Sequence, residues 1–211
     1  MACPLCHKEE VGPYAEDNLR SYLNCRVCDL VFVPREHWLS ASEEKAIYDL
    51  HENDENDPGY RKFLSRLTQP LLERLGEQKQ GLDFGCGPGP ALARVMEEAG
   101  HAMALFDLFY YNRPGLLDVD YDFICTTEVV EHFQAPGAEF EALFKRLRPG
   151  GWLGIMTKLV KDPQAFKNWH YIRDLTHISF YSRTTFAWLA RQFNAHVEIL
   201  GNDVILMQKK I

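Results

Sequence analysis

Residues 82–89 read Leu-Asp-Phe-Gly-Cys-Gly-Pro-Gly, and the helical pattern of residues 91–99 follows almost at once. Glycines at alternate positions let the backbone turn tightly and approach a ligand with no Cβ in the way. The spacing is G-x-G-x-G and no lysine follows, so neither a pyrophosphate grip nor a P-loop is indicated. The stretch therefore predicts a strand, a ligand-binding turn and a helix. The alternative is a tight turn that only reverses the chain.

The rest of the chain, from residue 81 onward, alternates short apolar runs with amphipathic helices. Such alternation predicts a doubly wound α/β fold, with a mostly parallel sheet and helices on both of its faces. A turn after residue 200 predicts a closing hairpin, which adds an antiparallel strand. The predicted strands are residues 82–84, 102–106, 121–125, 152–157, 197–200 and 204–208.

Asp107 ends the second of these strands, directly after an apolar run. A carboxylate at this point of a doubly wound sheet can accept hydrogen bonds from both ribose hydroxyls of an adenosine. Together with the glycine turn, Asp107 predicts a ligand that contains adenosine.

From about residue 60 to residue 211 the sequence resembles class I S-adenosylmethionine-dependent methyltransferases. Their first motif is similar to Asp83–Gly89, their second-strand acid matches Asp107, and their fourth-strand motif looks like Asp122–Thr127. A Leu-Arg-Pro-Gly-Gly turn at residues 147–151 is also typical of the family. The resemblance implies a Rossmann-like sheet of the seven-stranded type, S-adenosylmethionine as the cofactor, and methyl transfer as the activity.

The resemblance also implies which residues bind the cofactor. The glycines of the turn would face its methionine part, and Asp107 would bind its ribose. The implied set is Asp83, Gly85, Cys86, Gly87, Gly89, Asp107, Leu108, Thr127 and Glu128.

The connection after Asp107 departs from the family. Only fourteen residues separate Asp107 from Asp122, where the family usually has a helix and a third strand. We therefore expect the third strand to be lost or shortened. The adenine-contacting acid of the family then has no clear counterpart, and Asp118 is the candidate.

Residues 128–132 read Glu-Val-Val-Glu-His and follow the strand at residues 121–125. Two carboxylates and an imidazole at this spacing could hold a hard divalent cation, or His132 could act as a base. The pattern resembles that of ubiquinone-pathway O-methyltransferases and of small-RNA 3′-terminal 2′-O-methyltransferases, in which such residues ligate a metal. His177 occupies a place similar to that of the later histidine that completes the site of the RNA enzymes. Alternatively, Glu131 and His132 only shape the cofactor pocket.

Residues 168–177 read Asn-Trp-His-Tyr-Ile-Arg-Asp-Leu-Thr-His and follow the strand after which this fold admits substrate. The mixture of aromatic rings, imidazoles and a guanidinium suits a polar ring or an anionic group, unless the aromatic residues only cover the sheet edge. The candidate catalytic residues, which would take the proton of the methyl acceptor in a metal-independent reaction, are His132, His177 and His170. Polar aromatic residues of the preceding helices could form a lid: Tyr48, His51 and Tyr60.

Two C-x-x-C pairs lie near the N-terminus with eighteen residues between them, which is the spacing of a four-thiolate zinc ribbon. Four thiolates close a tetrahedral site with no open position for catalysis. A segment of this size buries little core, so the metal would be its main source of stability. The alternative is a redox dithiol, whereas Cys86 and Cys125 are interpreted as core residues. The predicted zinc ligands are Cys3, Cys6, Cys25 and Cys28.

The length of 211 residues allows one full domain and a small appendage. We predict a zinc ribbon at 1–34, a helical linker or lid at 35–80, and a methyltransferase domain at 81–211. The net charge of −7 speaks against binding to nucleic-acid phosphates. No apolar run approaches the length of a membrane span and no signal pattern is present, which predicts a cytoplasmic protein without membrane contact.

The sequence therefore predicts methyl transfer from S-adenosylmethionine to an O, N or C nucleophile of a small molecule. One alternative is a metal-dependent RNA 2′-O-methyltransferase whose zinc module grips the RNA. Another is a non-catalytic scaffold that binds the cofactor and recruits a protein through the zinc ribbon. The sequence indicates no oligomeric state.

Overall fold

The computed structural model describes residues 1–50 and 54–211. Its strands are β1 (Val11–Glu16), β2 (Ser21–Cys25), β3 (Val31–Phe32), β4 (Gln80–Phe84), β5 (Ala102–Phe106), β6 (Tyr121–Thr127), β7 (Leu147–Met156), β8 (Ser179–Phe180), β9 (Ala195–Leu200) and β10 (Val204–Lys209). Its helices are α1 (Ala41–Tyr48), α2 (Pro58–Leu72), α3 (Ala91–Glu98), α4 (Pro136–Arg146), α5 (Pro163–Lys167) and α6 (Arg183–Gln192). Of the three residues predicted to form a lid, His51 lies outside the described residues.

The central sheet has six strands in the order β5-β4-β6-β7-β10-β9. The first four strands of this order are parallel, and β10 runs antiparallel to both β7 and β9. The predicted doubly wound, mostly parallel fold with its closing hairpin is confirmed.

The edge of the sheet lies at β5, and no third strand of the family type is present in the described residues. After Asp107 the chain pairs with itself at Tyr111 and passes through a 3₁₀ turn at Pro114–Asp118 before it enters β6. A strand–helix–strand crossover alone needs at least about 10–12 residues. The connection is therefore too short for a helix and a further strand, and the expected loss of the third strand is confirmed.

Helices cover both faces of the sheet because side chains alternate along each strand. Phe123 of β6 packs with α2 and α3, whereas the next residue, Ile124, packs with α4 and α6. A Cβ on Gly154 of β7 would lie 3.1 Å from Leu67, so a small residue lets α2 sit close to the sheet. No helix of the described chain combines the length and the apolar character that crossing a membrane requires.

The N-terminal strands form a second sheet that includes a strand from the far end of the chain. Its order is β1-β2-β3-β8, and Val31 of β3 pairs antiparallel with Phe180 of β8. The segment that carries the cysteine pairs is therefore joined through backbone hydrogen bonds to residues that follow the histidine-rich stretch.

The first cysteine pair also docks on the start of α4. The amide of Gly137 donates to the carbonyl of Pro4 at 3.2 Å. A Cβ on Gly137 would lie 2.5 Å from the carbonyl oxygen of Leu5, so this contact requires glycine. Cys3 and Cys25 are buried in the same apolar cluster as Phe140 of α4.

Candidate active site

A cavity of about 920 Å³ opens at the carboxyl ends of the parallel strands. Residues that follow β4, β5, β6 and β7 all contribute to its wall. Doubly wound sheets bind their ligands at this edge. The volume lies near the upper end of the roughly 300–1,000 Å³ of ligand pockets, which leaves space for a cofactor and a second molecule.

The glycine turn forms one wall of the cavity. Gly85 and Gly87 have φ angles of 76° and 63°, in the left-handed region that favours glycine. A Cβ on Gly85 would lie 2.5 Å from a methyl group of Val129. The turn can therefore approach a ligand with its backbone, and no larger residue fits at Gly85.

Asp107 lines the cavity beside this turn. Its Oδ2 accepts the amide of Gly87 at 3.0 Å, and its Oδ1 accepts the amides of Phe109 and Tyr110 at 2.8 and 3.1 Å. A carboxylate offers about four acceptor sites, so one site on Oδ2 is left for a ligand hydroxyl. The side chain thus shapes the turn and can also accept a hydrogen bond from a ribose.

Replacing Asp107 by alanine should weaken the binding of S-adenosylhomocysteine. One hydrogen bond to a charged group is worth roughly 1.5–3 kcal/mol, so Kd should rise by about 10- to 10²-fold. Calorimetry with Asp107→Ala measures this, and Asp118→Ala is the control because that acid lies outside the cavity wall. An unchanged affinity in Asp107→Ala would remove this residue from the ribose site.

The candidate for the adenine-contacting acid, Asp118, is not at the cavity. Its side chain is 83% exposed and pairs with Arg146 at 3.5 Å. The cavity wall near Asp107 is instead formed by Leu108, Phe109 and Tyr110, and by α1. The rings of Tyr48 and Phe109 lie 5.8 Å apart.

Helix α1 is tied to the loop after β5, and it supplies the Tyr48 that was predicted to belong to a lid. The hydroxyl of Tyr110 donates to Asp49 at 2.7 Å, and the hydroxyl of Tyr48 donates to Glu44 at 2.7 Å. Tyr60 of α2 also lines the cavity. Tyr48, Tyr60 and Tyr110 thus all contribute aromatic rings to the cavity wall.

The cavity wall also includes His132 and His177 of the acid–histidine cluster. One ligand atom each of Glu131, His132 and His177 lies within 4.8 Å of the other two. Nδ1 of His132 lies 3.1 Å from the carbonyl of Thr176, and Nδ1 of His177 lies 2.8 Å from the carbonyl of Tyr171. Because a carbonyl only accepts, both Nδ1 atoms carry the proton in the neutral rings.

The carboxyl group of Glu131 is fully buried beneath these rings. Its Oε1 accepts the hydroxyl of Tyr171, whereas its Oε2 has no hydrogen-bond partner among the described residues. Burial raises the pKa of Glu131 to about 8, and the nearby charge of Glu128 adds to the effect. Burial also lowers the pKa of His177, although Asp174 Oδ2 lies 3.7 Å from its Nε2.

Glu128 is linked to the cluster through Tyr171, whose hydroxyl also lies 3.2 Å from Glu128 Oε2. Burial raises the pKa of Glu128 to about 7. Of the four residues considered for a cation site, Glu131, His132 and His177 therefore lie together. Glu128 is connected to them through the hydroxyl of Tyr171.

His170 lies at the mouth of the cavity, away from the other two histidines. Its Nε2 accepts a hydrogen bond from Lys158 Nζ at 2.6 Å, and this ammonium lies 5.4 Å from the centre of the Tyr171 ring. This part of the cavity wall thus combines a positive charge, an imidazole and an aromatic face.

The three candidate catalytic histidines all line the cavity, and so do seven of the nine residues proposed for the cofactor. The remaining two, Asp83 and Gly89, do not line it. Asp83 is buried beneath the turn, where its carboxyl group accepts the Ala93 amide of α3 and burial raises its pKa to about 7. Asp83 thus supports the glycine turn from within the core.

Several cavity residues were missed from the sequence. Glu44 and Glu139 carry carboxyl groups into the wall, and Lys158 carries the ammonium. Burial raises the pKa of Glu139 to about 7. None belongs to a motif, although Lys158 directly follows the predicted strand at residues 152–157 and that position was a usable signal.

The four cysteines of the N-terminal pairs converge on one point, with all four sulfurs within 4.8 Å of one another. Sγ of Cys3 lies 3.5 Å from that of Cys28, and Sγ of Cys6 lies 3.4 Å from that of Cys25. These distances exceed a disulfide bond of about 2.05 Å. Thiolates at about 2.3 Å from a tetrahedral zinc would be roughly 3.8 Å apart, so the set fits zinc.

Comparisons with known proteins agree with the fold. The profile of a methyltransferase domain family matches residues 57–198, which is more than half of the chain. Among curated protein sequences, none matches the chain.

Solved structures of methyltransferases share the fold. The 1,6-didemethyltoxoflavin-N1-methyltransferase of Burkholderia thailandensis has a TM-score of 0.54 at 16% identity, over 94% of this chain and 99% of that one. A candidate methyltransferase from Bacillus halodurans C-125 has a TM-score of 0.50 at 12% identity, over 70% and 99%. An O-methyltransferase family protein from Burkholderia thailandensis has a TM-score of 0.49 at 15% identity, over 72% of this chain and 58% of its own length.

The six-stranded sheet, the glycine turn with Asp107 and the family match agree with one another. The chain therefore belongs to the class I S-adenosylmethionine-dependent methyltransferases.

Proposed function

We propose that the enzyme methylates a nucleophilic O, N or C atom of a small molecule. The observation that carries this proposal is one cavity whose wall includes the glycine turn and Asp107 as well as His132, His170 and His177. S-adenosylmethionine supplies an electrophilic methyl group when it is bound, so the chain has mainly to align the acceptor and to exclude water. The Burkholderia N1-methyltransferase binds the small molecule 1,6-didemethyltoxoflavin with S-adenosylhomocysteine, which supports an acceptor of this size.

The residues proposed to bind the methyl acceptor have separable roles. Lys158 and His170 bind a polar or anionic group of the acceptor at the cavity mouth, and Tyr171 offers its ring face. His170 accepts the hydrogen bond of Lys158 at its Nε2 and so holds the ammonium at the cavity wall. Tyr48 lies 5.3 Å from the ring of His132 and shields the cluster on the side of α1.

The geometry of Glu131, His132 and His177 favours a divalent cation over the metal-independent role predicted from the sequence. A general base needs one group aimed at the acceptor, whereas here one ligand atom each of Glu131, His132 and His177 lies within 4.8 Å of the other two. Glu131 also has a buried carboxylate oxygen with no hydrogen-bond partner among the described residues. Histidines that ligate metals commonly donate their other N–H to a carbonyl, as both rings do here. A bound cation would act as a Lewis acid that favours deprotonation of the acceptor.

The same cluster makes metal-dependent RNA 2′-O-methylation the second candidate function. The net charge of −7 counts against it, because RNA binding draws most of its affinity from positive charge. The partly aromatic cavity of about 920 Å³ has the size of a site for a cofactor and a small molecule.

A thermal-shift screen with S-adenosylhomocysteine tests the proposal. Probes are phenols, carboxylic acids, heteroaromatic amines and a short RNA with a free 3′ end. A true acceptor at 100 times its Kd adds about 2.7 kcal/mol, which should raise Tm by about 5–10 °C. Formation of S-adenosylhomocysteine from S-adenosylmethionine with the same probe then confirms turnover. Stabilisation and turnover by the RNA alone would replace the proposal with the second candidate.

A further inference from the structure

We infer that the N-terminal four-cysteine module is a positioning element of the active site, and that Arg20 is the residue through which it acts. The inference rests on the proposed role of the histidines and is independent of the identity of the acceptor. It assigns the module a task inside the enzyme rather than the recruitment of a partner.

Arg20 directly precedes β2 and is 3% exposed. Its Nη2 donates to the carbonyls of Ile172 and Asp174 at 2.8 and 2.9 Å, and its Nη1 donates to the carbonyl of Leu175 at 3.1 Å. Three carbonyl oxygens from four consecutive residues thus converge on one guanidinium. Their dipoles repel one another, so this loop conformation depends on the buried positive charge.

The module holds Arg20 in place from its own side. Nε of Arg20 donates to the hydroxyl of Tyr22 at 2.9 Å, and this hydroxyl donates to Asp17 at 2.6 Å. No carboxylate forms an ion pair with Arg20 in the described part of the chain. The guanidinium therefore donates three of its hydrogen bonds to the loop at residues 172–175. Tyr22 and Asp17 of the module hold it in this position.

The loop that Arg20 binds sets the orientation of the rings of His132 and His177. The carbonyl of Tyr171 accepts Nδ1 of His177, and the carbonyl of Thr176 accepts Nδ1 of His132. The amide of His177 donates to the carbonyl of Asp174, which also accepts from Arg20. Displacing this backbone would therefore rotate both imidazole rings.

The cysteines and the loop are also joined through the second sheet. Cys25 ends β2, and Cys28 precedes β3, which pairs with β8 directly after the loop. Asp29 accepts the hydroxyl of Ser182 at 2.6 Å on the far side of β8. The knuckle of the cysteine site therefore forms the turn of the β2–β3 hairpin, and β3 of this hairpin is paired with the strand that follows the histidine loop.

Amide hydrogen exchange and histidine NMR test the inference. In Arg20→Met the amides of His177 and Ile178, which donate to the carbonyls of Asp174 and Glu131, should exchange at least about tenfold faster. The amide of Gly85 in the cofactor turn should not change, and the ¹⁵N signals of His132 and His177 should show a mixture of tautomers. S-adenosylhomocysteine affinity should stay within about twofold, which separates this effect from a failed cofactor site.

Matched variants distinguish positioning of the loop by Arg20 from a general contribution of this residue to stability. Arg20→Lys should restore part of the protection, and Tyr22→Phe, which removes only one anchor, should raise the exchange a few-fold. Arg74→Met is the control. Like Arg20, Arg74 donates to a backbone carbonyl, but its other acceptor is the carboxylate of Glu198 and it lies away from the loop. The double variant Cys25→Ser, Cys28→Ser should expose the same two amides.

The inference is overturned by unchanged exchange at His177 and Ile178 in Arg20→Met, or by an equal rise at Gly85. It is also overturned if the double cysteine variant loosens residues 1–34 and leaves these amides protected. Should Arg20→Met fail to fold, unchanged exchange in both Arg20→Lys and Tyr22→Phe has the same consequence.

Discussion

Glu131→Gln should weaken Mn²⁺ binding to the enzyme at least about 10²-fold, since it removes a ligand, and even outer-shell changes at metal sites cost about 10–100-fold. Glu131 has one carboxylate oxygen without a hydrogen-bond partner among the described residues, and its carboxyl group lies within 4.8 Å of ligand atoms of His132 and His177. The amide of glutamine keeps the size of the side chain and removes the charge that binds a hard cation. Calorimetric titration with Mn²⁺, in the presence of S-adenosylhomocysteine, measures the effect without a known acceptor.

The same site predicts a dependence of activity on metal. A chelator mild enough to spare the thiolate zinc should abolish methyl transfer, and Mg²⁺ or Mn²⁺ should restore it. His177→Ala should raise the cation concentration needed for half-activity. His196→Ala is the control, because this histidine is exposed on β9 and lies outside the cavity wall.

A metal-independent enzyme would give a different pattern. Chelation would leave the rate unchanged, Mn²⁺ would bind to neither wild type nor Glu131→Gln, and His132→Ala would slow the reaction by roughly 10²–10⁴-fold as the loss of a general base. That result would return His132 to the role of proton acceptor.

Loss of the proposed zinc site should have the second large effect. Purified protein should contain about one zinc ion per chain, and the double variant Cys25→Ser, Cys28→Ser should contain none. Structural zinc contributes about 10–16 kcal/mol of apparent binding free energy in small peptides, far more than a short ribbon gains from its own core. Elemental analysis and limited proteolysis of residues 1–34 measure both consequences.

Two outcomes bear on this prediction. Cys86→Ala, which removes a thiol from the glycine turn, should leave the zinc content unchanged. A metal-free preparation whose N-terminus stays intact and protease-resistant contradicts the zinc proposal, because the four cysteine side chains would then be held by packing alone.

The glycine turn, the strand–helix alternation and the cysteine pairs could all be predicted from the sequence, because each is a local signal. A left-handed φ at Gly85 needs glycine, a parallel sheet needs periodic apolar runs, and a knuckle needs two cysteines three positions apart. The loss of the third strand was likewise predictable, since the fourteen residues after Asp107 set an upper limit on what the connection can contain.

Contacts between distant residues follow from no such local rule. Arg20 reaches the carbonyls of a loop more than 150 residues away, and β3 pairs with β8, although four strands of the central sheet lie between them in the chain. Asp83, which the family motif assigned to the cofactor, turns under the helix instead, because its alternate position on β4 directs the side chain into the core.

Residue types and spacing in the sequence thus determined the fold class, the cofactor turn and the four-cysteine pattern, since these depend on conformations within a few residues. Tertiary structure alone decided that Glu131, His132 and His177 meet, that Lys158 faces the same cavity, and that the cysteine module holds the histidine loop. These outcomes depend on where packing places whole elements relative to one another, and residues 44 or 155 positions apart carry no shared period that could reveal it.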